Sequence, residues 1–201
     1  MHSAKKHISR LTTSNVSFLQ CDIQTIFKDK IYNVDSVVRT AKTLNKAAGL
    51  LKTPLIITEH YTKAFGHTLP EIKETWPAEG YELFEKTLFS MITPDVKKAL
   101  EKHNERKNIV LYGIETHVCI QQTTLDLLEL GYDVHLPVDG VSSQRKQDRE
   151  AALVKLRKAG AFLTTSESLL FELCRDAKSE NFKKLAALFK MDRNAIMDHL
   201  Q

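Results

Sequence analysis

A cysteine that follows an apolar run and a glycine is the residue of this sequence best suited to nucleophilic chemistry. The run Ile109 to Tyr112 predicts a buried strand, Gly113 a tight turn, and the residues from Val118 onward a helix that opens with Cys119. Unpaired backbone N–H groups and the positive end of the helix dipole stabilise a thiolate there. The same N–H groups can hold the oxyanion that forms when a thiolate attacks a carbonyl.

The alternative for Cys119 is a structural role, because cysteine is among the most buried residue types and often packs as a small hydrophobe. That role is the expectation for the other two cysteines. Cys21 lies in an apolar strand-like run, and Cys174 lies at the end of an amphipathic helical pattern. Three cysteines without paired spacing argue against a disulfide framework and indicate a reducing compartment.

Two charged residues stand close to the ends of other predicted strands. Asp22 closes the strand that begins at Ser17, and a carboxylate at such a position can act as a general base. Lys86 follows the apolar-rich run that ends at Glu85. An aspartate at such a position more often forms a turn, and a lysine more often lies solvated on the surface. Neither residue alone therefore indicates a catalytic site.

Strand and helix patterns alternate along the chain, with a long loop expected at 61–76. The predicted strands are 17–22, 54–58, 82–85, 109–112, 132–138 and 161–164, and the predicted helices are 33–51, 94–103, 118–130, 146–159 and 166–174. Asn33 and Ser166 are the expected N-caps of their helices. This alternation predicts a three-layer α/β fold, a parallel sheet with helices on both faces. Ligands bind beyond the carboxyl ends of such strands, where Asp22, Lys86 and Cys119 would converge.

Composition is that of a globular chain. The 201 residues are 42% hydrophobic and 27% charged, which predicts a single domain over 1–201, with a flexible segment at 1–15 and a helical tail at 179–201. No apolar run approaches the roughly 20 residues that span a bilayer, so no membrane is expected as a partner. A cytoplasmic location is expected, although a basic, acid-free N-terminus keeps a mitochondrial one open.

Together these residues resemble the isochorismatase-like cysteine hydrolases, a superfamily that also contains nicotinamidases and N-carbamoylsarcosine amidohydrolases. The resemblance runs from about Ser17 to about Cys174 and is carried by three motifs. They are the Phe18/Asp22/Gln24/Phe27 block, the block Lys86-Thr-Leu-Phe-Ser-Met, and Gly113-Ile-Glu-Thr-His-Val-Cys119. The last two look most like the isochorismatase domain-containing subgroup. The resemblance implies a Rossmann-like sheet and a homo-oligomer.

The resemblance also implies a mechanism on a small-molecule substrate. Asp22 takes the proton of Cys119, Lys86 holds the carboxylate and stabilises the thiolate, and the thiolate attacks an amide or related carbonyl to form a thioester. The family has a cis peptide before the cysteine, which maps here to Ile114–Glu115. The backbone N–H groups of Glu115 and Cys119 would then form the oxyanion hole.

One region departs from the metal-binding pattern of the nicotinamidases. Glu59, His60 and His67 have suitable ligand types but the wrong spacing, so we expect no metal and no other cofactor. The nicotinamidase aspartate two positions before the cysteine is replaced by His117, which is expected to shape the turn or the substrate entrance.

Two other classes of function remain as alternatives. One is a nucleic-acid-interacting protein, or a ribonuclease-like activity on the same fold, since a net charge of +4 allows attraction to phosphates. Its basic segments are 145–146, 155–158 and 183–184. The other is a catalytically silent scaffold, against which the intact Asp22, Lys86 and Cys119 set argues.

Overall fold

The core of the protein is a seven-stranded sheet in which every pairing between strands is parallel. The computed structural model describes residues 7–189. Its strands are β1 (Val16–Cys21), β2 (Leu55–His60), β3 (Tyr81–Lys86), β4 (Asn108–Ile114), β5 (Asp133–Pro137), β6 (Val141–Ser142) and β7 (Phe162–Thr164). They are ordered β3-β2-β1-β4-β5-β7, and the short β6 pairs with the end of β4.

Helices cover both faces of this sheet and make the three layers that the alternating pattern predicts. They are α1 (Val34–Leu51), α2 (Thr62–Phe65), α3 (Pro70–Lys73), α4 (Pro94–Glu101), α5 (Gln121–Glu129), α6 (Lys146–Ala159) and α7 (Ser166–Cys174). Apolar residues of α1, α3 and α7 pack on one face, and those of α4, α5 and α6 pack on the other. The fold class predicted from sequence is therefore confirmed.

The central strands β1 and β4 are mostly apolar because both of their faces are buried. Phe18 of β1 packs into the core on the α1 side, whereas the next residue, Leu19, packs into the core on the α4 side. The same alternation places Val110 and Leu111 of β4 in opposite cores. Successive strand residues point to opposite faces, so a run without polar residues belongs in the middle layer of a sandwich.

The order of the strands places a topological switch point between β1 and β4. The chain runs outward from β1 to β2 and β3, then returns so that β4 lies on the other side of β1. This reversal is a topological switch point, where the loops leaving two neighbouring strands diverge and open a space for a ligand. Asp22 follows β1 directly, and Cys119 follows β4 after a short turn.

Several local predictions are corrected by the structure. The region 61–76 is not a continuous loop, since it holds α2 and α3, and α3 has Pro70 in its first turn. These helices have four residues each, too few to show a helical period. The strand β6 has only two residues, so no alternating pattern in the sequence could predict it.

One of the two predicted helix caps is confirmed in its position, and the other is wrong. Asn33 is the N-cap residue of α1, although its backbone dihedral angles are left-handed and its side chain makes no capping hydrogen bond. Ser166 is already the first residue of α7, and the hydroxyl of Thr165 accepts the capping hydrogen bond from the backbone N–H of Ser168 at 3.3 Å.

The predictions for the two ends of the chain fall partly outside the described residues, which exclude 1–6 and 190–201. Within the described part, Leu11 is fully buried, and its backbone N–H donates to Glu172 at 2.9 Å. Residues 182–189 are helical and lie within the segment 179–201 for which a helical tail is predicted. Between residues 7 and 189, no helix has the length and hydrophobicity needed to traverse a bilayer.

Gly113 of β4 lies so close to β1 that it has no room for a side chain. Its φ is +125°, and a Cβ there would overlap the carbonyl group of Cys21 on the neighbouring strand. We expect Gly113→Ala to lower the free energy of unfolding by about 2–5 kcal/mol, since backbone strain and overpacking add. Gly131→Ala is the control, because Gly131 also has a positive φ, +80°, but faces open space. Urea denaturation should show a smaller loss for the control, and equal losses would contradict the overlap.

Candidate active site

Three residues from different strand ends meet at the carboxyl edge of the sheet. The Lys86 ammonium lies 2.6 Å from Asp22 Oδ2 and 3.8 Å from Cys119 Sγ. Asp22, Lys86 and Cys119 are all buried, at 2%, 4% and 7% exposure. The convergence expected from the strand ends is therefore present in the structure. Lys86 is the last residue of β3 rather than the residue after it, and its long side chain reaches across β2.

The Asp22 carboxylate is fixed through both of its oxygens. Oδ1 accepts a hydrogen bond from the Thr58 hydroxyl at 2.7 Å, and Oδ2 accepts from Lys86 and from the Cys21 thiol at 3.3 Å. The backbone of Asp22 is in the left-handed region, with φ +50°, and its N–H donates to the Thr58 carbonyl. Aspartate tolerates this conformation better than most residues, and it turns the chain sharply at the end of β1.

The Lys86 ammonium is held in place by backbone carbonyls as well as by the carboxylate. The carbonyls of Leu88 and Phe89 each accept from Nζ at 3.1 Å. Burial opposes the charge, but the Cys21, Asp22 and Cys119 groups favour it more, so the pKa of Lys86 is raised. The side chain is therefore a cation throughout the neutral pH range.

Cys119 lies in a single wide turn, Thr116–Ile120, that precedes the regular helix α5. The predicted helix start at Val118 is corrected, because the Glu115 carbonyl accepts from the N–H groups of both Val118 and Ile120 and so widens the first turn. The Ile114–Glu115 peptide is cis, as expected. The oxyanion hole at Glu115 and Cys119 stays a prediction.

Thr123 of α5 connects the cysteine turn to the segment that follows Lys86. Its hydroxyl donates to the Cys119 carbonyl at 2.7 Å and accepts from the Met91 N–H at 2.8 Å. One buried side chain therefore fixes the segments that carry Lys86 and Cys119 relative to each other.

His60 is a site residue that the sequence suggested only as a metal ligand. Its ring stacks with those of Phe65 and Phe89, with centroid distances of 5.5 and 5.6 Å, and its Nδ1 lies 3.3 Å from the Lys86 ammonium. Burial, together with the Lys86 charge, lowers the pKa of His60. The signal for this role is that His60 ends β2 and pairs in register with Lys86 of β3.

The buried side chain of Gln24 anchors the backbone of His60. Its Oε1 accepts from the His60 N–H at 2.7 Å, and its Nε2 donates to the His60 carbonyl at 2.9 Å. This explains why a glutamine, rather than an apolar residue, occupies a fully buried position beside the site.

The metal-ligand types at the end of β2 and in the loop after it do not converge on one point. Glu59 accepts from the Thr68 N–H at 2.7 Å and lies 2.7 Å from His67 Nδ1, so it anchors the loop. These hydrogen bonds lower the pKa of Glu59 in spite of its burial. His60 follows Glu59 in an extended strand and contacts Lys86 instead. The absence of a metal stays a prediction.

The tightest group of ligand-type atoms in residues 7–189 is formed by Cys21, Asp22 and Cys119. One atom from each lies within 4.8 Å of the other two. The Lys86 ammonium contacts both Asp22 and Cys119 and repels a second cation there. His117 is not part of this group, and its Nδ1 lies 2.9 Å from the Ser143 hydroxyl.

Comparison with known proteins shows the family to which the chain belongs. The isochorismatase domain model matches residues 17–168. Isochorismatase domain-containing protein 2 of Xenopus laevis is 43% identical over 184 residues, which cover 91% of this chain and 87% of the relative. The chain belongs to the isochorismatase family.

Solved structures of the isochorismatase fold agree with this assignment. MAR1 ribonuclease from Caenorhabditis elegans superposes with a TM-score of 0.86 at 39% identity, covering 90% of this chain and 92% of that one. The YcaC gene product of Escherichia coli, an octameric hydrolase of unknown specificity, has a TM-score of 0.84 at 24% identity, covering 97% and 98%. At that identity YcaC supports the fold alone.

The electrostatic contact at this isochorismatase-family site can be measured through His60. We expect the pKa of His60 to lie below 6.5 in the native protein and to rise in Lys86→Met, because the neighbouring cation is removed while Asp22 remains. NMR titration of the histidine ring protons measures both values. His135 is the control, since burial lowers its pKa on β5 without Lys86 among the causes. A rise at His135 as large as that at His60 would point to general unfolding instead.

Proposed function

We propose that the protein is a cysteine hydrolase that cleaves a small amide-type or related substrate through a thioester on Cys119. One observation carries the proposal. The buried Lys86 ammonium contacts both the Asp22 carboxylate and the Cys119 sulfur, an arrangement that stabilises a thiolate next to a general base. Family membership supports hydrolase chemistry.

In this mechanism Asp22 accepts the proton of the Cys119 thiol, and the thiolate forms a bond to the substrate carbonyl carbon. The backbone N–H groups of Glu115 and Cys119 stabilise the oxyanion. The carbon–nitrogen bond breaks as Asp22 returns its proton to the leaving amine. Asp22 then deprotonates a water molecule that attacks the thioester, and the free acid leaves as Cys119 recovers its proton.

The aromatic and apolar side chains beside the site favour a substrate with a flat or apolar portion. His60 and Phe89 stack at an interplanar angle of 18°, and Phe65 also stacks with His60, at 16°. Leu88 and Phe89 are about half exposed beside the site, although the backbone carbonyls of both hold Lys86. A planar amide or imide next to an apolar group matches this surface.

We also propose that the chain forms a homo-oligomer. The outer edge of β3 has no strand partner among residues 7–189, and its Tyr81 and Leu83 side chains are exposed at 38% and 43%. An unprotected strand edge with exposed apolar residues favours association with another surface. The octameric state of YcaC is an example of assembly on the same fold.

A ribonuclease is the second candidate, favoured by the name of the C. elegans structure. The basic residues at 145–146 give it limited support, because Arg145 pairs with Asp148 at 2.7 Å and Lys146 with Glu150 at 3.7 Å. Binding of RNA with a steep salt dependence, and cleavage that survives in Cys119→Ala, would favour this candidate over the hydrolase.

Reaction with iodoacetamide near neutral pH tests the nucleophile without a known substrate. We expect Cys119 to be alkylated before Cys21 and Cys174, and Lys86→Met to slow its alkylation roughly tenfold because a neighbouring cation is lost. Peptide mapping over a time course measures this. Cys174→Ser is the matched control and should leave the rate at Cys119 unchanged. An inert Cys119 beside a labelled Cys21 or Cys174 would exclude the mechanism.

A screen of small amides, ureides and vinyl ethers tests the hydrolase directly. On any substrate found, Cys119→Ala, Asp22→Asn and Lys86→Met should each reduce kcat by roughly a thousandfold or more. The double variant Asp22→Asn/Lys86→Met should lose little more than either single one, because the three residues act as one unit. Turnover at the wild-type rate in Lys86→Met would remove the lysine from the site.

A further inference from the structure

Cys21 is a second buried sulfur at the site for which the hydrolase mechanism has no use. It is the last residue of β1, and it lies in the same core as Cys119, on the α4 side of the sheet. Its Sγ, the Cys119 Sγ and an Asp22 carboxylate oxygen all lie within 4.8 Å of one another. Cys174 belongs to the core on the opposite face, so the sheet separates it from this pair.

We propose that Cys21 and Cys119 are a redox pair, which closes to a reversible intrachain disulfide after a peroxide oxidises Cys119. The inference rests on the same reactive Cys119 thiolate as the proposed function, but it assigns a separate reaction to the site. Cys119 is 7% exposed and Cys21 is fully buried, so Cys119 meets a small oxidant first and Cys21 is the resolving thiol.

The two steps use only a peroxide and the side chains of the site. The Cys119 thiolate attacks one oxygen of hydrogen peroxide, the O–O bond breaks, and hydroxide leaves, so that sulfur is oxidised to a sulfenic acid and peroxide is reduced. The Cys21 sulfur then attacks the sulfenic sulfur. The new S–S bond forms as the S–OH bond breaks, and the departing hydroxide takes up the Cys21 proton to leave as water.

Asp22 is placed to assist the second step. Its Oδ2 accepts a hydrogen bond from the Cys21 thiol at 3.3 Å, so it can take the thiol proton and pass it to the departing hydroxide. This assistance matters because burial, the Cys119 contact and the Asp22 charge raise the pKa of Cys21 well above its usual value. A free Cys21 thiolate would be scarce, whereas a thiol that loses its proton during attack is competent.

Closing the pair requires a small local movement. A disulfide has an S–S distance of about 2 Å, so sulfur atoms within 4.8 Å of each other must approach by less than about 3 Å. Rotation of the two side chains and a shift of the one-turn segment Thr116–Ile120 supply such a movement without displacing a strand.

The alternative use of these ligand atoms, as a metal site, is disfavoured by charge. The Lys86 ammonium lies 2.6 Å from Asp22 and contacts Cys119, and it places a fixed positive charge where a divalent cation would bind. Disulfide formation adds no charge to the site, so it is compatible with Lys86.

Hydrogen peroxide treatment of the full-length protein, followed by mass spectrometry under non-reducing conditions, tests the pair. We expect the wild type to lose two hydrogen atoms in mass and to yield a cross-linked peptide that joins Cys21 to Cys119. Iodoacetamide labelling of Cys119 should disappear and return after treatment with dithiothreitol. Cys174→Ser should behave as the wild type.

The Cys21→Ala variant isolates the resolving thiol. Without it, Cys119 should gain two or three oxygen atoms, and dithiothreitol should not restore labelling. If this variant is misfolded by circular dichroism, Cys21→Ser serves in its place, and the wild-type cross-link decides the question by itself.

The experiment distinguishes failure of the redox pair from failure of the proposed function. Fast alkylation of Cys119 in the reduced wild type, combined with oxygen addition and no Cys21–Cys119 peptide after peroxide, overturns the redox pair and leaves the hydrolase intact. Slow or absent alkylation of Cys119 in the reduced protein overturns the proposed function and removes the basis of the pair as well.

Discussion

A lysine ammonium buried at the edge of the sheet sets the conditions that the rest of the site must meet. Removing such a charge from water costs several kcal/mol, and the cost is offset only when counter-charge and acceptors surround it. Lys86 has one carboxylate and two backbone carbonyls within 3.1 Å. The carboxylate follows β1 and both carbonyls belong to the turn after β3, so β1, β3 and that turn must all be in place before the ion is stable.

The other fixed polar groups of the site follow from that requirement. Thr58 of β2 occupies the Asp22 oxygen that Lys86 leaves free, and Gln24 secures the backbone of His60 beneath the lysine side chain. Thr123 then ties the turn after Lys86 to the helix of Cys119. Buried polar side chains of this kind are stabilising only when all of their hydrogen bonds are made, and they therefore favour one arrangement over alternatives.

The sequence predicted the elements well where patterns are long, and the site where residues stand at strand ends. Asp22, Lys86 and Cys119 could be found because the carboxyl ends of parallel strands share one edge. The roles of His60 and Cys21 could not, because they depend on which residues lie opposite one another. His60 faces Lys86 through the register of β2 and β3, and Cys21 approaches Cys119 through the packing of the turn after β4. The four-residue helices and the cap at Thr165 depend on local contacts with no period to detect.

Under the proposed function, the turn at Leu88 and Phe89 separates substrate recognition from the chemical reaction. Its backbone carbonyls orient the ammonium, while the two side chains are 51% and 50% exposed. Carbonyl groups are the same in every residue, so the side chains at these two positions can be exchanged while the carbonyls that hold the cation are kept. Substitutions at these two positions can therefore change the substrate preference of the proposed hydrolase while Lys86 stays in place. A library restricted to the two positions is a rational start for redesign.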